Sequence, residues 1–367
     1  MTESVDFSKL LNRSVKRTFY DALQVSWHEP LQTVFVLRTI WQQRKAQARR
    51  AKYQRQGEQI PPFMIASITK QCNLKCHGCY AMAQTKCGGA EEFTVSEWQR
   101  VFGEARDLGI GIVLLAGGEP LTRLEILETA MSFPELIFPV FTNGTLLGVE
   151  LLSKLKATRN VIPILSLEGL AETTDKRRGE GIYQNLQTVM SNLKAERIFY
   201  GVSVTVTREN FTTVTSNDFI ENLRQKGCKL FVFVEYVPVT LATEHLVLTE
   251  TERAELLMSL NNWRQNYSGI FIGFPGDEEA FGGCLASGRG FVHLNANGGL
   301  EPCPFAPYSD LNLKDHSLRE ALRSNFLATL RANHELLSEH GHGGCALWEK
   351  RDLVQELLQK STDFNQK

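Results

Sequence analysis

From Pro61 onward, six short apolar runs rich in β-branched and aromatic residues alternate with segments of 3.6-residue periodicity. Runs that are apolar throughout are typical of strands buried on both faces, and helices between them indicate a parallel sheet. Six repeats are too few for a closed eight-fold barrel, so the pattern leaves a partial barrel and a doubly wound sheet open. The predicted strands are residues 64–69, 112–117, 139–144, 164–169, 200–207 and 229–239.

Composition narrows the class of protein. The chain has 367 residues, of which 43% are hydrophobic and 22% charged, as in ordinary soluble domains. A net charge of -1 argues against nucleic acid as a partner. We find no secretory signal and no apolar run long enough to span a bilayer, so we expect a cytoplasmic protein. In that compartment the 8 cysteines are expected to be reduced ligands or core residues.

Three cysteines lie close together just after the first predicted strand. Cys72, Cys76 and Cys79 follow the spacing CxxxCxxC. A structural zinc site normally closes with four ligands, whereas three thiolates on a four-iron, four-sulfur cluster leave one iron open for another ligand. The spacing favours the cluster and leaves zinc, or three core cysteines, as alternatives.

A second polar turn follows the second predicted strand, in the sequence LLAGGEPL. Gly117 and Gly118 allow close backbone approach to a ligand, Glu119 supplies a carboxylate, and Pro120 fixes the turn. Taken alone, this is a common βα turn. Beside the cysteine loop, it offers polar groups to an amino-acid-like ligand at an open iron.

Together, the CxxxCxxC loop with Tyr80 and the Gly-Gly-Glu-Pro turn resemble the radical S-adenosylmethionine (SAM) superfamily. The resemblance implies a partial (β/α)6 TIM barrel of α/β class, a four-iron cluster on the three cysteines, and SAM on the open iron. It also implies one-electron cleavage of SAM to a 5'-deoxyadenosyl radical that removes a substrate hydrogen. The implied SAM-binding residues are Tyr80, Gly117, Gly118, Glu119, Pro120, Asn143, Ser166, Glu168 and Arg178.

These assignments have local alternatives. Tyr80 is expected near the adenine and the Gly-Gly-Glu turn near the methionyl amine. Ser166 and Glu168 resemble positions near the ribose, but both residue types also cap turns. Asn143 precedes a glycine and suits a plain turn. Arg178 is a candidate partner for the SAM carboxylate or a solvated residue of a helix.

The last part of the chain carries three more cysteines, Cys284, Cys303 and Cys345. The stretch FVHLNANGG predicts a hairpin with Asn-Gly at its turn. This pattern resembles the twitch or SPASM subdomain and implies an auxiliary iron–sulfur cluster; zinc, or three buried thiols, are the alternatives. A fourth ligand from His293, His340, His342 or Cys87 is open, as is a free iron, and Cys228 is predicted to lie in the core.

The N-terminal residues 1–60 differ from the rest. An apolar stretch, 31–41, precedes a basic stretch, 42–56. One interpretation is a helical arm that packs Val34, Leu37 and Trp41 on the domain; the other is a surface-seeking helix that meets anionic lipid. The predicted units are 1–60 (arm), 61–245 (barrel), 246–283 (connecting helix), 284–348 (auxiliary subdomain) and 349–367 (C-terminal helix and tail).

The leading hypothesis is a radical SAM enzyme acting on a small-molecule or lipid-like substrate. The resemblance also implies a flavodoxin or ferredoxin as electron donor. The arm suggests peripheral contact with the inner membrane surface. The alternatives are a peptide maturase, a non-catalytic iron–sulfur carrier or scaffold, and a zinc-binding interaction protein.

Overall fold

The computed structural model describes residues 7–27, 29–84, 91–238, 241–334 and 345–365. Its α-helices are α1 Phe7–Ser26, α2 Pro30–Gln54, α3 Tyr80–Gln84, α4 Val95–Leu108, α5 Leu124–Met131, α6 Val149–Thr158, α7 Ala171–Arg178, α8 Ile182–Ala195, α9 Phe211–Val214, α10 Asn217–Gln225, α11 Glu250–Asn266, α12 Leu318–Leu322, α13 Asn325–Ala332, α14 Ala346–Glu349 and α15 Arg351–Asn365. Its strands are β1 Phe63–Ser67, β2 Ile112–Ala116, β3 Phe138–Thr142, β4 Val161–Leu167, β5 Gly201–Val206, β6 Leu230–Glu235, β7 Ile270–Phe274, β8 Phe291–Leu294 and β9 Leu300–Glu301.

All nine strands form one sheet in the order β7-β6-β5-β4-β3-β2-β1-β8-β9. Strands β1 to β7 are parallel and neighbour one another in chain order, which is the arrangement of a curled partial barrel. The predicted partial barrel is therefore confirmed, with a seventh parallel strand beyond the six expected. This strand, β7, lies in the range 246–283, where we expected a connecting helix alone.

The C-terminal hairpin extends the same sheet. Strand β8 pairs parallel with β1, and β9 pairs antiparallel with β8, as the Asn-Gly turn predicts. Gly298 takes up φ +92°, and a Cβ there would lie 2.2 Å from the Phe93 ring, so the turn requires glycine. The hairpin near the C-terminal cysteines is thus joined, through the sheet, to β1, the strand that precedes the three-cysteine loop.

Local signals set the helix ends. Thr94 and Glu97 form a capping box at the start of α4, and Thr249 and Glu252 form another at the start of α11. Gly109 ends α4 in the left-handed conformation at φ 90°. Each of these features agrees with the pattern of the sequence.

The helices α4 to α10 cover the outer face of the sheet. Alternate strand side chains such as Met64 and Val113 point into this core, where they meet the buried Trp98 and Phe102 of α4. Phe102 packs edge-on against Phe138 of β3, with ring centroids 5.0 Å apart. This packing holds the strand ends that carry the polar turns.

Helix α2 covers the amino-terminal end of the barrel, opposite the cysteine loop. Gln43 of α2 donates to the Gly111 carbonyl at 2.9 Å, just before β2. Gln32 donates to the Arg197 carbonyl at 2.5 Å, before β5, and accepts from Lys229, before β6. Helix α1 packs on α2 and also contacts β7 and the 3-10 turn that follows it, so the arm is part of the barrel.

The face of α2 that packs on the barrel differs from the predicted one. Val36 is buried with Ile164 and other inward residues of the sheet. Val34, Leu37 and Trp41, which we expected to pack on the domain, are 64%, 51% and 53% exposed. Polar Gln32, Thr39 and Gln43 occupy the buried face. Gln32 and Gln43 pair there with backbone carbonyls that precede β5 and β2, and a hydrophobicity pattern does not indicate such pairs. Among the described residues, no helix is both long and apolar enough to cross a bilayer.

Candidate functional site

The three-cysteine loop lies between β1 and α3, at the carboxyl end of the parallel strands. The thiols of Cys72, Cys76 and Cys79 are all partly exposed and unbonded to one another. Cys72 Sγ accepts the Leu74 N–H at 3.4 Å. Burial raises the pKa of Cys72 and of Cys76, and the positive charge of Arg178 opposes this effect at Cys76. A nearby cation favours the thiolate, which is the form that binds metal.

The Gly-Gly-Glu turn after β2 binds this loop through backbone hydrogen bonds. The Gly118 N–H donates to the Thr69 carbonyl at 2.8 Å, and the Glu119 N–H donates to the Gln71 carbonyl at 2.7 Å. A Cβ on Gly117 would lie 2.3 Å from the Thr69 oxygen, and one on Gly118 would lie 2.0 Å from the Gln71 oxygen. The two glycines therefore let the turn approach the cysteine loop closely, and their role towards a ligand stays a prediction.

The Glu119 carboxylate is buried and joins the ends of β2 and β3. It accepts hydrogen bonds from Thr142 Oγ1 at 2.7 Å, the Asn143 N–H at 2.8 Å and the Leu121 N–H at 3.0 Å. Burial raises the pKa of Glu119, and these three donors oppose the rise. The side chain of Asn143 in turn donates to Asn73 Oδ1 of the cysteine loop at 2.8 Å.

A buried ion-pair network connects the other side of the loop to β4 and α7. Glu168 is 1% exposed and accepts from Arg177 at 2.6 Å and from Arg178 Nε at 2.9 Å. Arg177 also donates to the His77 carbonyl at 3.2 Å and accepts the His77 N–H at 2.8 Å. Arg178, predicted to meet the SAM carboxylate, thus pairs with Glu168, which was predicted near the ribose. Ser166 lies on β4 opposite Ser203 of β5.

One residue near the loop was missed in the sequence. Tyr236 follows β6, is 3% exposed, and its hydroxyl has no hydrogen-bond partner among the described residues. A Cβ on Gly78 would lie 2.7 Å from this hydroxyl, so Tyr236 borders the cysteine loop directly. An orphan hydroxyl here fits a polar ligand beside the loop, since buried polar groups are normally paired. The signal that could have identified Tyr236 was its position just beyond the sixth strand.

The C-terminal cysteines come together in one apolar cluster that also contains Tyr80 and Phe305. The Ser287 N–H donates to the Pro302 carbonyl at 3.1 Å and ties the segment of Cys284 to that of Cys303. Burial raises the pKa of both thiols well above the ordinary value and raises that of Cys345 to about 12. Such thiols lose their protons when a metal binds.

A buried carboxylate borders these thiols. Glu278 lies in the 3-10 turn after β7, and burial raises its pKa to about 8. Among the described residues, no group of three His, Cys, Asp or Glu side chains is arranged to hold one metal ion. A four-iron cluster binds each ligand at a different iron, so its ligands lie farther apart than those of a single ion. Three thiols on one loop, as at Cys72, Cys76 and Cys79, are a donor set that such a cluster takes.

A polar chain connects the barrel to the hairpin. Ser67, the last residue of β1, bonds to His293 Nε2 at 2.8 Å, and His293 Nδ1 bonds to Glu301 at 2.6 Å. Both ring nitrogens of His293 are therefore engaged.

Tyr80 packs against Phe305 with ring centroids 5.2 Å apart, between the two cysteine sets. His340, His342 and Cys87, considered as further ligands, lie outside the described residues, and Cys228 is buried as expected.

Comparisons with known proteins agree with this geometry. The Radical SAM superfamily model matches residues 66–224. The chain is 32% identical over 152 residues to Fe-coproporphyrin III synthase of Methanosarcina barkeri, a match that covers 41% of the chain and only 38% of that protein. It is 27% identical over 288 residues to the AdoMet-dependent heme synthase of the same organism, covering 71% of the chain and 81% of that protein. The structure of Streptococcus suis SuiB bound to precursor peptide SuiA shares the fold, with a TM-score of 0.62 at 17% identity over 86% of the chain and 75% of SuiB.

Proposed function

Because this chain belongs to the radical SAM superfamily, we propose that it removes a hydrogen atom from a small-molecule or lipid-like substrate. Cys72, Cys76 and Cys79 would hold the four-iron cluster. When bound and reduced, that cluster would provide the single electron for the reductive cleavage of SAM to methionine and a 5'-deoxyadenosyl radical, the species that would take the substrate hydrogen. The observation that carries the proposal is that residues at three neighbouring strand ends hold the three-cysteine loop in place.

The protein's own part is to hold the loop and exclude water. Backbone bonds from the Gly-Gly-Glu turn fix the first half of the loop, and the Asn143 side chain fixes its middle. Arg177 holds its second half through His77. Such fixed geometry places a reactive group against its target and avoids reorganisation. The predicted roles of Tyr80 near adenine and Ser166 near ribose remain part of the proposal.

The substrate class is inferred from the side chains near the two cysteine sets. Tyr80, which follows Cys79, packs on Phe305 in one apolar cluster with the three C-terminal cysteines. Apolar surroundings of this kind favour a substrate with a large apolar surface over a polar peptide. Two relatives are named for the synthesis of haem or an iron porphyrin, and a tetrapyrrole is a small molecule with such a surface.

We further propose that Cys284, Cys303 and Cys345 hold an auxiliary cluster that binds the substrate or accepts its electron. Tyr80 packs on Phe305 and lies close to both Cys79 and Cys303, so a substrate held beside Tyr80 would be near both cysteine sets. A flavodoxin or ferredoxin is the proposed electron donor, on the resemblance alone.

The first experiment measures 5'-deoxyadenosine after anaerobic reduction with dithionite in the presence of SAM. We expect the wild-type protein to form it and Cys76→Ala to form none. Addition of Fe-coproporphyrin III, a bacterial lipid extract or a short peptide would then identify the class that raises the yield. No 5'-deoxyadenosine from protein that holds iron would favour a non-catalytic iron–sulfur carrier, and stimulation by peptide alone would favour a maturase.

The exposed face of α2 supports a second proposal, peripheral contact with an anionic membrane. Leu31, Val34, Leu37 and Trp41 are spaced along one side of this helix and are all more than half exposed. The next turn carries the exposed cation Lys45, whose ammonium lies 3.3 Å from the centre of the Trp41 ring. Apolar side chains beside cations are typical of helices that lie in a lipid interface, where the cations meet anionic headgroups.

Vesicle flotation tests this contact. We expect wild-type protein to float with vesicles that contain phosphatidylglycerol and to float less with pure phosphatidylcholine. The double variant Leu37→Ser, Trp41→Ser should lose most of this binding, whereas the control Val149→Ser, which changes an 80% exposed apolar residue of α6, should not. Equal flotation of all three proteins would contradict the proposal. Concentration-dependent dimers that form only with the wild-type protein would indicate that a second copy of the chain binds this face.

A further inference from the structure

We propose that Glu278 supplies the fourth protein ligand of the auxiliary cluster held by Cys284, Cys303 and Cys345. The inference rests on the proposed function, because it assumes that the C-terminal cysteines bind iron. It assigns to that site a carboxylate that the cysteine spacing alone did not indicate.

Glu278 is buried and incompletely paired. Its side chain lies in the 3-10 turn Gly276–Phe281, and the residue is 7% exposed. Within the described part of the chain, its Oε1 is buried without a hydrogen-bond partner. It is the one carboxylate oxygen in that condition among the described residues. A buried carboxylate with a free oxygen is costly unless another group, such as a metal, completes it.

Glu278 lies in the same buried region as the three thiols. The Gly283 N–H donates to the Glu278 carbonyl at 3.1 Å and holds this turn against the segment of Cys284. The Cys284 thiol is a hydrogen-bonding neighbour of the Glu278 carboxylate, and Glu278 is near enough to Cys303 and Cys345 to influence the pKa of each thiol. Four groups that bind iron as anions are therefore close together, and a bound metal would stabilise their deprotonated forms.

Of the residues that the structure describes, the two other candidate ligands in the hairpin, His293 and Glu301, are already engaged. His293 uses one ring nitrogen for Ser67 and the other for Glu301, at 2.8 and 2.6 Å. Glu301 pairs its second oxygen with the Asn295 amide. Neither side chain has an atom left for iron without breaking a buried hydrogen bond, which would cost stability.

Arg289 holds the segment that carries Glu278 and Cys284. Its guanidinium donates to the carbonyls of Gly283 at 3.4 Å, of Phe281 at 3.4 Å and of Cys284. These bonds fix the backbone between the two proposed ligands. The same positive charge acts on both Glu278 and Cys284 and offsets part of the charge that four anionic ligands would bring.

The experiment isolates the auxiliary cluster. The background is full-length protein with Cys72, Cys76 and Cys79 changed to alanine, purified without oxygen with ⁵⁷Fe. Glu278→Gln removes the anionic ligand at nearly constant shape, Glu278→Cys replaces it with a thiolate, and Glu301→Gln is a matched buried control. The readouts are iron per chain, Mössbauer spectra and EPR after mild oxidation, none of which depends on turnover.

We expect the background protein to hold about four irons, one of which has a Mössbauer signature distinct from the others because its ligand is oxygen. Glu278→Gln should fall to about three irons and give the EPR signal of a three-iron cluster, whereas Glu278→Cys should hold about four irons with one uniform signature. Glu301→Gln should resemble the background.

Two results would overturn the inference in distinguishable ways. Iron content and Mössbauer spectra unchanged by Glu278→Gln would leave the auxiliary cluster in place and remove Glu278 as its ligand. A background protein without any iron would remove the auxiliary cluster itself, whereas the proposed function stands or falls separately with the formation of 5'-deoxyadenosine by the wild-type protein. If Glu278→Gln fails to fold, a Glu278→Cys spectrum identical to that of the background still refutes the carboxylate ligand.

Discussion

Replacing Gly118 with alanine should disrupt the three-cysteine loop without touching a cysteine. The new Cβ would lie 2.0 Å from the Gln71 carbonyl oxygen and 2.4 Å from its carbon, where ordinary contacts begin at 3.4 Å. Both obstacles are backbone atoms, so no side-chain rotation relieves the contact. The turn and the loop must separate by about 1.4 Å.

The energetic effect follows from what this separation breaks. The Gly118 N–H bond to Thr69, at 2.8 Å, and the Glu119 N–H bond to Gln71, at 2.7 Å, join the same two segments. Each contributes about 1 kcal/mol net, and overpacking adds about 1–3 kcal/mol, so the free energy of unfolding should fall by about 3–5 kcal/mol. The loop displacement should also release the first cluster, with iron falling from about eight to about four per chain.

The measurements are urea unfolding and iron content of protein purified without oxygen. Gly148→Ala is the matched control, because nothing lies within 4 Å of a Cβ at that position. Because Gly148 is the N-cap of α6 and alanine is a poorer cap, this change should lower the free energy of unfolding by no more than about 1 kcal/mol. If the two variants unfold at the same urea concentration and hold equal iron, the turn does not pack on the loop as described.

Three other predictions test the fold. Val36→Ala should lower the free energy of unfolding by about 1–3 kcal/mol, whereas Val34→Ala, at an exposed position, should lower it by less than about 0.5 kcal/mol. If urea unfolding shows the same loss of free energy for both variants, the orientation of α2 is contradicted. Arg253→Met should cost about 3–5 kcal/mol, because it leaves buried Glu235 without the cation 2.9 Å away; a Tm equal to wild type would refute this. Hydrogen bonds from the N-cap backbone hold the pKa of Glu97 below 4.5, so its stabilising contribution is present above pH 4.5 and is lost as the pH falls through the lower folded value. Glu97→Gln should therefore differ from wild type in urea unfolding at pH 6 and approach it near pH 3; a constant difference would contradict the assignment.

The positions of six strands along the chain and the resemblance to the superfamily were predictable from local pattern. Apolar runs and helical periods are properties of neighbouring residues, so the six strands from β1 to β6 and the capping boxes of Thr94 and Thr249 are confirmed. The three-cysteine spacing depends only on the chemistry of one short loop, and the match of the superfamily over residues 66–224 confirms the resemblance.

The orientation of α2 was not predictable in the same way. Its apolar residues suggested one packing face, yet Trp41 is exposed, while polar Gln43 is buried against a strand-end carbonyl. A side chain that pairs with distant backbone carries no local hydrophobic signal. The seventh strand, Ile270–Phe274, was missed because it extends a sheet whose edge is defined only by the folded chain.

The sequence by itself determined which residue types surround the site, since thiol spacing and turn chemistry are encoded within a few positions. Only the tertiary structure decided their partners. It pairs Arg178 with Glu168, turns Glu119 towards Asn143, and brings Glu278 beside Cys284. These pairings depend on how the strand ends meet across the barrel, and long-range burial selects them because an unpaired charge there would be too costly.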